Sequence, residues 1–271
     1  MKSSKSARKP AKSESGVKSA ARVFAIFEYF EKLKSPRTLT EISHDLGYPV
    51  SSTLALLRSI ESLGYLTFDP NTKSYCPSVR MALLGKWTHD RLFENGPITD
   101  MMGHLAALSQ ETVSLGLQNG LQSQHAHILR TSQSLSYNPE VGTMRPLLRS
   151  AVGRAILSRE EAGKVAEIVK RINTLKIDEG RTYAIEHVLS DLEAVRSDGY
   201  AFSANVFTQG AAIIAVPLPE MGDVPMAIAI SGPTSRVNDE TAPKFFKMIR
   251  KVIRDFVPRG GQKTASKEAQ S

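Results

Sequence analysis

Between Thr38 and Phe68 runs "TLTEISHDLGYPVSSTLALLRSIESLGYLTF", and few folds accommodate it. Two helical periodicities are separated by only Gly47, Tyr48 and Pro49. In the first, Leu39, Ile42 and Leu46 share one face of a short helix, which Thr40 can cap and Gly47 can end. In the second, Thr53, Leu56, Leu57, Ile60 and Leu63 form an inward stripe that runs to about Leu63. The opposite face carries Ser51, Ser52, Ala55, Arg58, Ser59 and Ser62, small and hydroxyl-rich where a solvated helix face ordinarily carries charge.

The flanks say what such a face is for. Upstream, Val23, Ile26, Phe27 and Phe30 recur at helical spacing within Val17–Leu33, and Pro36 stops that helix. Downstream, "GYLTF" and "KSYCP" favour strands and flank the turn formers of "DPNT", which predicts a hairpin. Three helices and a hairpin make a winged helix-turn-helix. A helix entering the major groove must let its backbone approach the bases, which small hydroxyl-bearing residues permit. Ser51 and Ser52 then face bases or phosphates, Arg58 a phosphate or guanine, Leu54 a thymine methyl group, and Lys73 at the wing a phosphate. Thr53 belongs to the same face but leans inward toward the backbone. The other reading is a winged domain that binds protein and has no specific DNA affinity, which a weak salt dependence of binding would reveal.

Charge is informative by its placement. Of the net +8, residues 1–18 contribute six Lys/Arg against one Glu, whereas residues 19–85 hold seven against six. The Ser/Lys-rich start reads as a disordered basic tail that meets a polyanion without reading its sequence. One cysteine, Cys76, excludes an intramolecular disulfide framework and a Cys-clustered zinc site. No run of apolar residues is long enough for a membrane helix and the first residues lack a signal-peptide core, so the expected location is the cytoplasm, with no membrane partner.

After "SVRMALLGKWTHDRLF", which reads as a linking helix ending near Gly96-Pro97, the pattern becomes mixed α/β. "MMGHLAALSQ" is helical, "TVSLGLQNG" and "SQHAHILRT" are strands joined at Asn-Gly, and "SAVGRAILS" is helical again. Helices over Glu160–Ile172 and around Ile185–Val195 follow, then the strands "YAFSANVF", "AAIIAVPL" and "PMAIAISG", then the amphipathic helix "APKFFKMIRKVIRDF" with Ile253 and Phe256 among its inward positions. His125 and His127 alternate on a strand, so both should share one face, but no third metal ligand accompanies them and solvent-facing histidines are expected. His187 lies on a charged helix face. No nucleophile elbow, phosphate loop or dinucleotide fingerprint is present, so neither cofactor nor metal is implied and an enzyme is the weaker alternative.

Several phrases together resemble the IclR family of bacterial transcription regulators, from about Val17 to Val257. "LTEISHDLGYPVSSTLALLRSIESLGYLTFDPNTKSYCPS" looks like its winged domain, "ETVSLGLQNG" like its first effector-domain strand, "PLLRSAVGRAILS" like its Ala-x-Gly-x-Ala helix, and "VRSDGYAFSANVFTQGAAIIAVPL" like its Gly-Tyr-Ala segment and Pro-ended strand. The resemblance implies an α+β chain. Residues 1–16 would be a disordered basic tail, 17–80 a winged helix-turn-helix domain, 81–95 a linker helix, 96–258 a GAF-like α/β effector-binding domain and 259–271 a disordered tail. Its partners would be double-stranded operator DNA, a small-molecule effector and itself, as homodimer or homotetramer. By the family's arrangement Met144, Ser150, Gly153, Val206 and Ile213 line the effector pocket, with Gly153 allowing close approach. Leu148 stands where relatives often have His, Val206 where they often have Glu and Ile213 where some have Cys. Such apolar replacements favour a hydrophobic or aromatic acid as effector, or else a closed core.

Overall fold

The computed structural model describes residues 17–90, 97–137, 139–219 and 224–256. The expectations for residues 1–16, for 91–96 at the end of the linker helix and for 257–271 lie outside these. By internal contacts the chain divides into two compact units, Met1–Glu94 and Asn95–Ser271.

In the first unit, α1 (Lys18–Leu33), α2 (Leu39–Leu46) and α3 (Val50–Ser62) precede the hairpin β2 (Leu66–Asp69) and β3 (Ser74–Pro77), and α4 (Val79–His89) follows. Their apolar stripes meet in one core of Ile26, Phe30, Ile42, Leu57, Ile60, Leu66 and Tyr75. A two-residue strand, β1 (Arg37–Thr38), adds to β3 and makes the wing three-stranded. That strand corrects the start of α2. The cap is Thr38, whose hydroxyl accepts from Glu41 N–H while the Glu41 carboxylate accepts from Thr38 N–H at 2.8 Å; Thr40 lies inside the helix. Pairing with Ser74 holds Thr38 extended, so helical geometry begins only at Leu39. Leu63 is also corrected: α3 ends at Ser62, Leu63 is its C-cap, and its side chain is exposed.

The second unit runs α5 (Ile98–Ser109), β4 (Thr112–Asn119), β5 (Gln122–Leu129), β6 (Met144–Pro146), α6 (Ala151–Leu157), α7 (Ala162–Leu175), α8 (Ile185–Asp198), β7 (Ala201–Ala204), β8 (Ala211–Pro217), β9 (Met226–Pro233) and α9 (Ala242–Phe256). The expected helix over Glu160–Ile172 is thus shifted to 162–175, and the strand expected to reach Phe207 stops at Ala204 because Asn205 turns at φ 58°. Strand order is β6-β5-β4-β9-β8-β7, every pair antiparallel. β9 is buried throughout, so both faces of the sheet are covered. On one face α6 lays Ala151, Val152 and Ala155 over Ala201, Ala215, Ala227 and Ala229. On the other, α5 and α9 pack together against β4 and β8. Small residues bring α6 close: a Cβ on Gly116 would come within 2.3 Å of Val152.

The sheet curls around α6. β6 and β7 are its two edges, roughly 24 Å apart across six flat strands, yet Phe207, just beyond β7, stacks on Arg145 of β6 with 4.8 Å between guanidinium and ring centroid. Arg149 lies over the same ring at 4.8 Å.

Candidate functional site

The outer face of α3 is the first site. Arg58 is exposed and has no ion pair among the described residues, with exposed Ala55 and Ser59 around it. Not all hydroxyls point away. Thr53 is fully buried and donates to Pro49 O at 3.0 Å, and Ser52 donates to the same carbonyl at 2.9 Å, so both secure the turn into α3. Ser59 and Ser62 likewise donate to Ala55 O and Ser59 O. Ser51 is exposed with no bond among the described residues, and Leu54 is half-buried beside it. Lys73 is exposed at the tip of the wing at φ 52°, in a turn that Asp69 braces by accepting from Asn71 N–H and the Thr72 hydroxyl. Those two bonds hold the Asp69 carboxyl below its ordinary range. Sequence reasoning missed Arg22, whose guanidinium lies 5.0 Å over the Tyr48 ring at the entrance to α3; only packing brings α1 there.

The second site is the layer between α6 and the concave face of the sheet. Ser150 is buried, caps α6 by accepting from Gly153 N–H at 2.8 Å, and shares a 2.7 Å hydrogen bond with Ser123 on β5. Ile213 packs against the alanine layer. Val206 follows β7, and its carbonyl accepts from Arg149 at 3.0 Å. Gly153 is small for a different reason from the expected one: a Cβ there would lie 2.0 Å from the Leu147 carbonyl oxygen, so backbone, not ligand, fills the space. Met144 pairs with Gln124, one residue out of step with the Ser123–Arg145 pair, and therefore faces away from α6. Leu148 is buried among Leu147, Leu157 and Val169 as core.

His125 is not solvent-facing. A bulge in β5 pairs His125 with Gly116 and His127 with Leu115, so the two histidines take opposite faces of the sheet, and His125 is buried against α6 at 8% exposure. Burial, with the nearby Arg145 charge, holds its pKa down to about 4, so it is neutral at physiological pH. No cluster of metal ligands occurs among the described residues. An open groove of about 750 Å³ flanked by Pro217, Phe246, Arg250 and Arg254 lies outside this layer, beside α9.

A winged helix-turn-helix with an arginine bare of ion pairs among the described residues on the outer face of α3, followed by an α/β unit whose sheet curls around α6, points to a DNA-binding transcription regulator. Residues 97–256 match the family model described as bacterial transcriptional regulator IclR C-terminal, and residues 19–70 match the IclR helix-turn-helix domain. The chain belongs to the IclR family and is a DNA-binding transcription regulator with a C-terminal effector domain. It is similar to the HTH-type transcriptional repressor AllR of Escherichia coli (strain K12), 26% identical over 90% of each chain. Among solved structures it resembles an IclR regulator from Alicyclobacillus acidocaldarius, with TM-score 0.70 and 20% identity over 89% of this chain and 98% of the other. It also resembles an IclR homologue from Microbacterium hydrocarbonoxydans solved with 4-hydroxybenzoate, with TM-score 0.67 and 18% identity over 88% and 99%.

Proposed function

We propose that this regulator binds a pseudo-palindromic operator as a homodimer or homotetramer, one winged unit per half-site, and that an acid with a hydrophobic or aromatic body sets its affinity. Ser51, Ser52, Leu54 and Arg58 meet the major groove while Lys73 holds phosphate at the wing; Thr53 supports them from beneath. The observation that carries this reading is Arg58, exposed without an ion pair on a helix face otherwise made of small residues. Self-association is supported by apolar side chains left in solvent, Leu83 (61%) and Leu84 (57%) on α4 and Phe24 (64%) on α1.

For the effector we retain Ser150, Val206 and Ile213, whose largely apolar surroundings suit an aromatic acid, as does the 4-hydroxybenzoate complex of the Microbacterium homologue. Gly153 supports them by letting α6 start close against Leu147, whereas Met144, facing away from α6, leaves the set. The effector acts by preferring one of two arrangements of the dimer, relayed through the expected linker, of which α4 (Val79–His89) is the described part. The chain acts without chemistry of its own and in the cytoplasm, as its transcription-regulator relatives suggest and as the lack of a membrane-length apolar helix among the described residues allows. Selection of bound sequences from a random DNA pool at moderate salt tests the reading. An inverted repeat is expected; recovery of no motif, with or without acids of the panel benzoate, 4-hydroxybenzoate, pyruvate and acetate, overturns it.

A further inference from the structure

The groove beside α9 lies wholly within the second unit, and none of the residues proposed for effector or operator lines it. Its floor is apolar. Pro217 at the end of β8 lines it together with Phe246 and Ile253 of α9, and Phe246 is packed on three neighbours. Its ring lies 5.2 Å from that of Tyr200, Arg250 lies over it at 5.6 Å, and a Cβ on Gly199 would come within 2.5 Å of its Cζ.

The rim is cationic. Arg159, Lys247, Arg250 and Arg254 are exposed along it without an ion pair among the described residues, and no described Asp or Glu lines the groove. Arg159 donates to Leu218 O at 3.2 Å, which holds its charge at the edge. On α9 the pattern is periodic: Pro243, Phe246, Arg250 and Ile253 recur at i, i+3, i+7 and i+10, with Lys247 and Arg254 one residue further round. One stripe of the helix, about 17 Å long, therefore alternates apolar contacts with cations.

Three occupants can be weighed. Solvent accounts for a row of cations but not for the open apolar floor beneath it. A second copy of the same face, related by a two-fold axis, would bring cation against cation. Duplex DNA would use the cations and leave the floor in water, since phosphate contacts need no apolar bed. A helix that carries carboxylates beside an apolar stripe satisfies rim and floor together.

We propose that this groove docks an acidic amphipathic helix of another protein, about three turns long, whose apolar side chains cover Phe246 and Ile253 while its carboxylates meet Lys247, Arg250 and Arg254. Docking there needs nothing from the DNA-binding unit, because every lining residue belongs to the second. Exposed ion pairs are individually weak, so the affinity is micromolar and falls with salt.

Fluorescence anisotropy with the full-length protein and labelled synthetic peptides tests this. The first peptide is an Ala-based helix with Leu and Glu stripes at the spacing of α9; a second replaces every Leu by Gln, and a third every Glu by Lys. Wild type should bind the first at least roughly tenfold more tightly than either of the others. Arg250→Glu with Arg254→Glu should weaken the first by roughly tenfold or more and strengthen the third, a swap that misfolding cannot produce. Lys170→Glu with Arg171→Glu, the same charge change at exposed positions of α7, should bind as wild type. The proposal falls if wild type binds no acidic peptide or binds the Gln peptide equally well, or if the α9 and α7 pairs behave alike. It falls to DNA if the α9 pair weakens binding to a duplex of random sequence as much as it weakens the peptide. It falls to self-association if the α9 pair shifts sedimentation toward smaller species.

Discussion

Gly153 and His125 show how much one residue decides here. With the Leu147 carbonyl oxygen only 2.0 Å from where a Cβ would be, Gly153→Ala must move backbone at the entry to α6. A loss of about 2 kcal/mol or more is expected, visible as a melting temperature several degrees lower; an unchanged melting temperature would show that the turn yields. His125 makes stability depend on pH. Its folded pKa of about 4 lies below the unfolded value of 6.5, so between those values the unfolded chain binds the proton and the folded chain does not. Above pH 6.5 the group contributes nothing. As pH falls from 6.5 toward 4 stability drops, by on the order of 3 kcal/mol, and His125→Phe should flatten that part of the profile in denaturant titrations. The identity of both residues could be read from the chain, but not their surroundings: the bulge that turns His125 inward depends on pairing with a strand whose sequence carries no mark of it.

Among the elements, α2 and α3 were the most legible, because apolar periodicity and the Gly47–Pro49 break are local signals. What periodicity could not supply was the use of each hydroxyl. Thr38, not Thr40, caps α2 because β1 pairs with β3, and Thr38→Ala should cost about 1 kcal/mol in the stability of the winged unit, measured by denaturant unfolding. On α3, Ser52, Thr53, Ser59 and Ser62 satisfy their donors on backbone carbonyls, which leaves Arg58 as the principal reaching group. Arg58→Ala should weaken operator binding and lower the salt slope by about one charge when affinity is followed by fluorescence anisotropy across salt concentrations. Affinity and slope equal to wild type would remove Arg58 from the interface.

At the scale of the molecule, the proposed regulation couples ligand to DNA through self-association. Leu83→Glu with Leu84→Glu should shift sedimentation toward monomer and weaken operator binding together, since each half-site then loses its tethered neighbour; a variant that stays oligomeric and binds normally would place the subunit contact elsewhere. An effector should change operator affinity by roughly 5- to 150-fold, with operator changing effector affinity by the same factor. The winged class of the first unit, the mixed α/β class of the second and most of the element order were legible in the chain, though not the short strands β1 and β6, because periodicity, turn residues and composition act over neighbouring positions. The layer between α6 and the sheet, by contrast, took shape only through tertiary packing. Curling of the sheet sets Phe207 on Arg145 from opposite edges, strand register turns Met144 away and Arg145 inward, and burial leaves Ser114 Oγ and His125 Nδ1 without partners among the described residues. Each of these depends on pairing between segments far apart in the chain, where no local signal reaches.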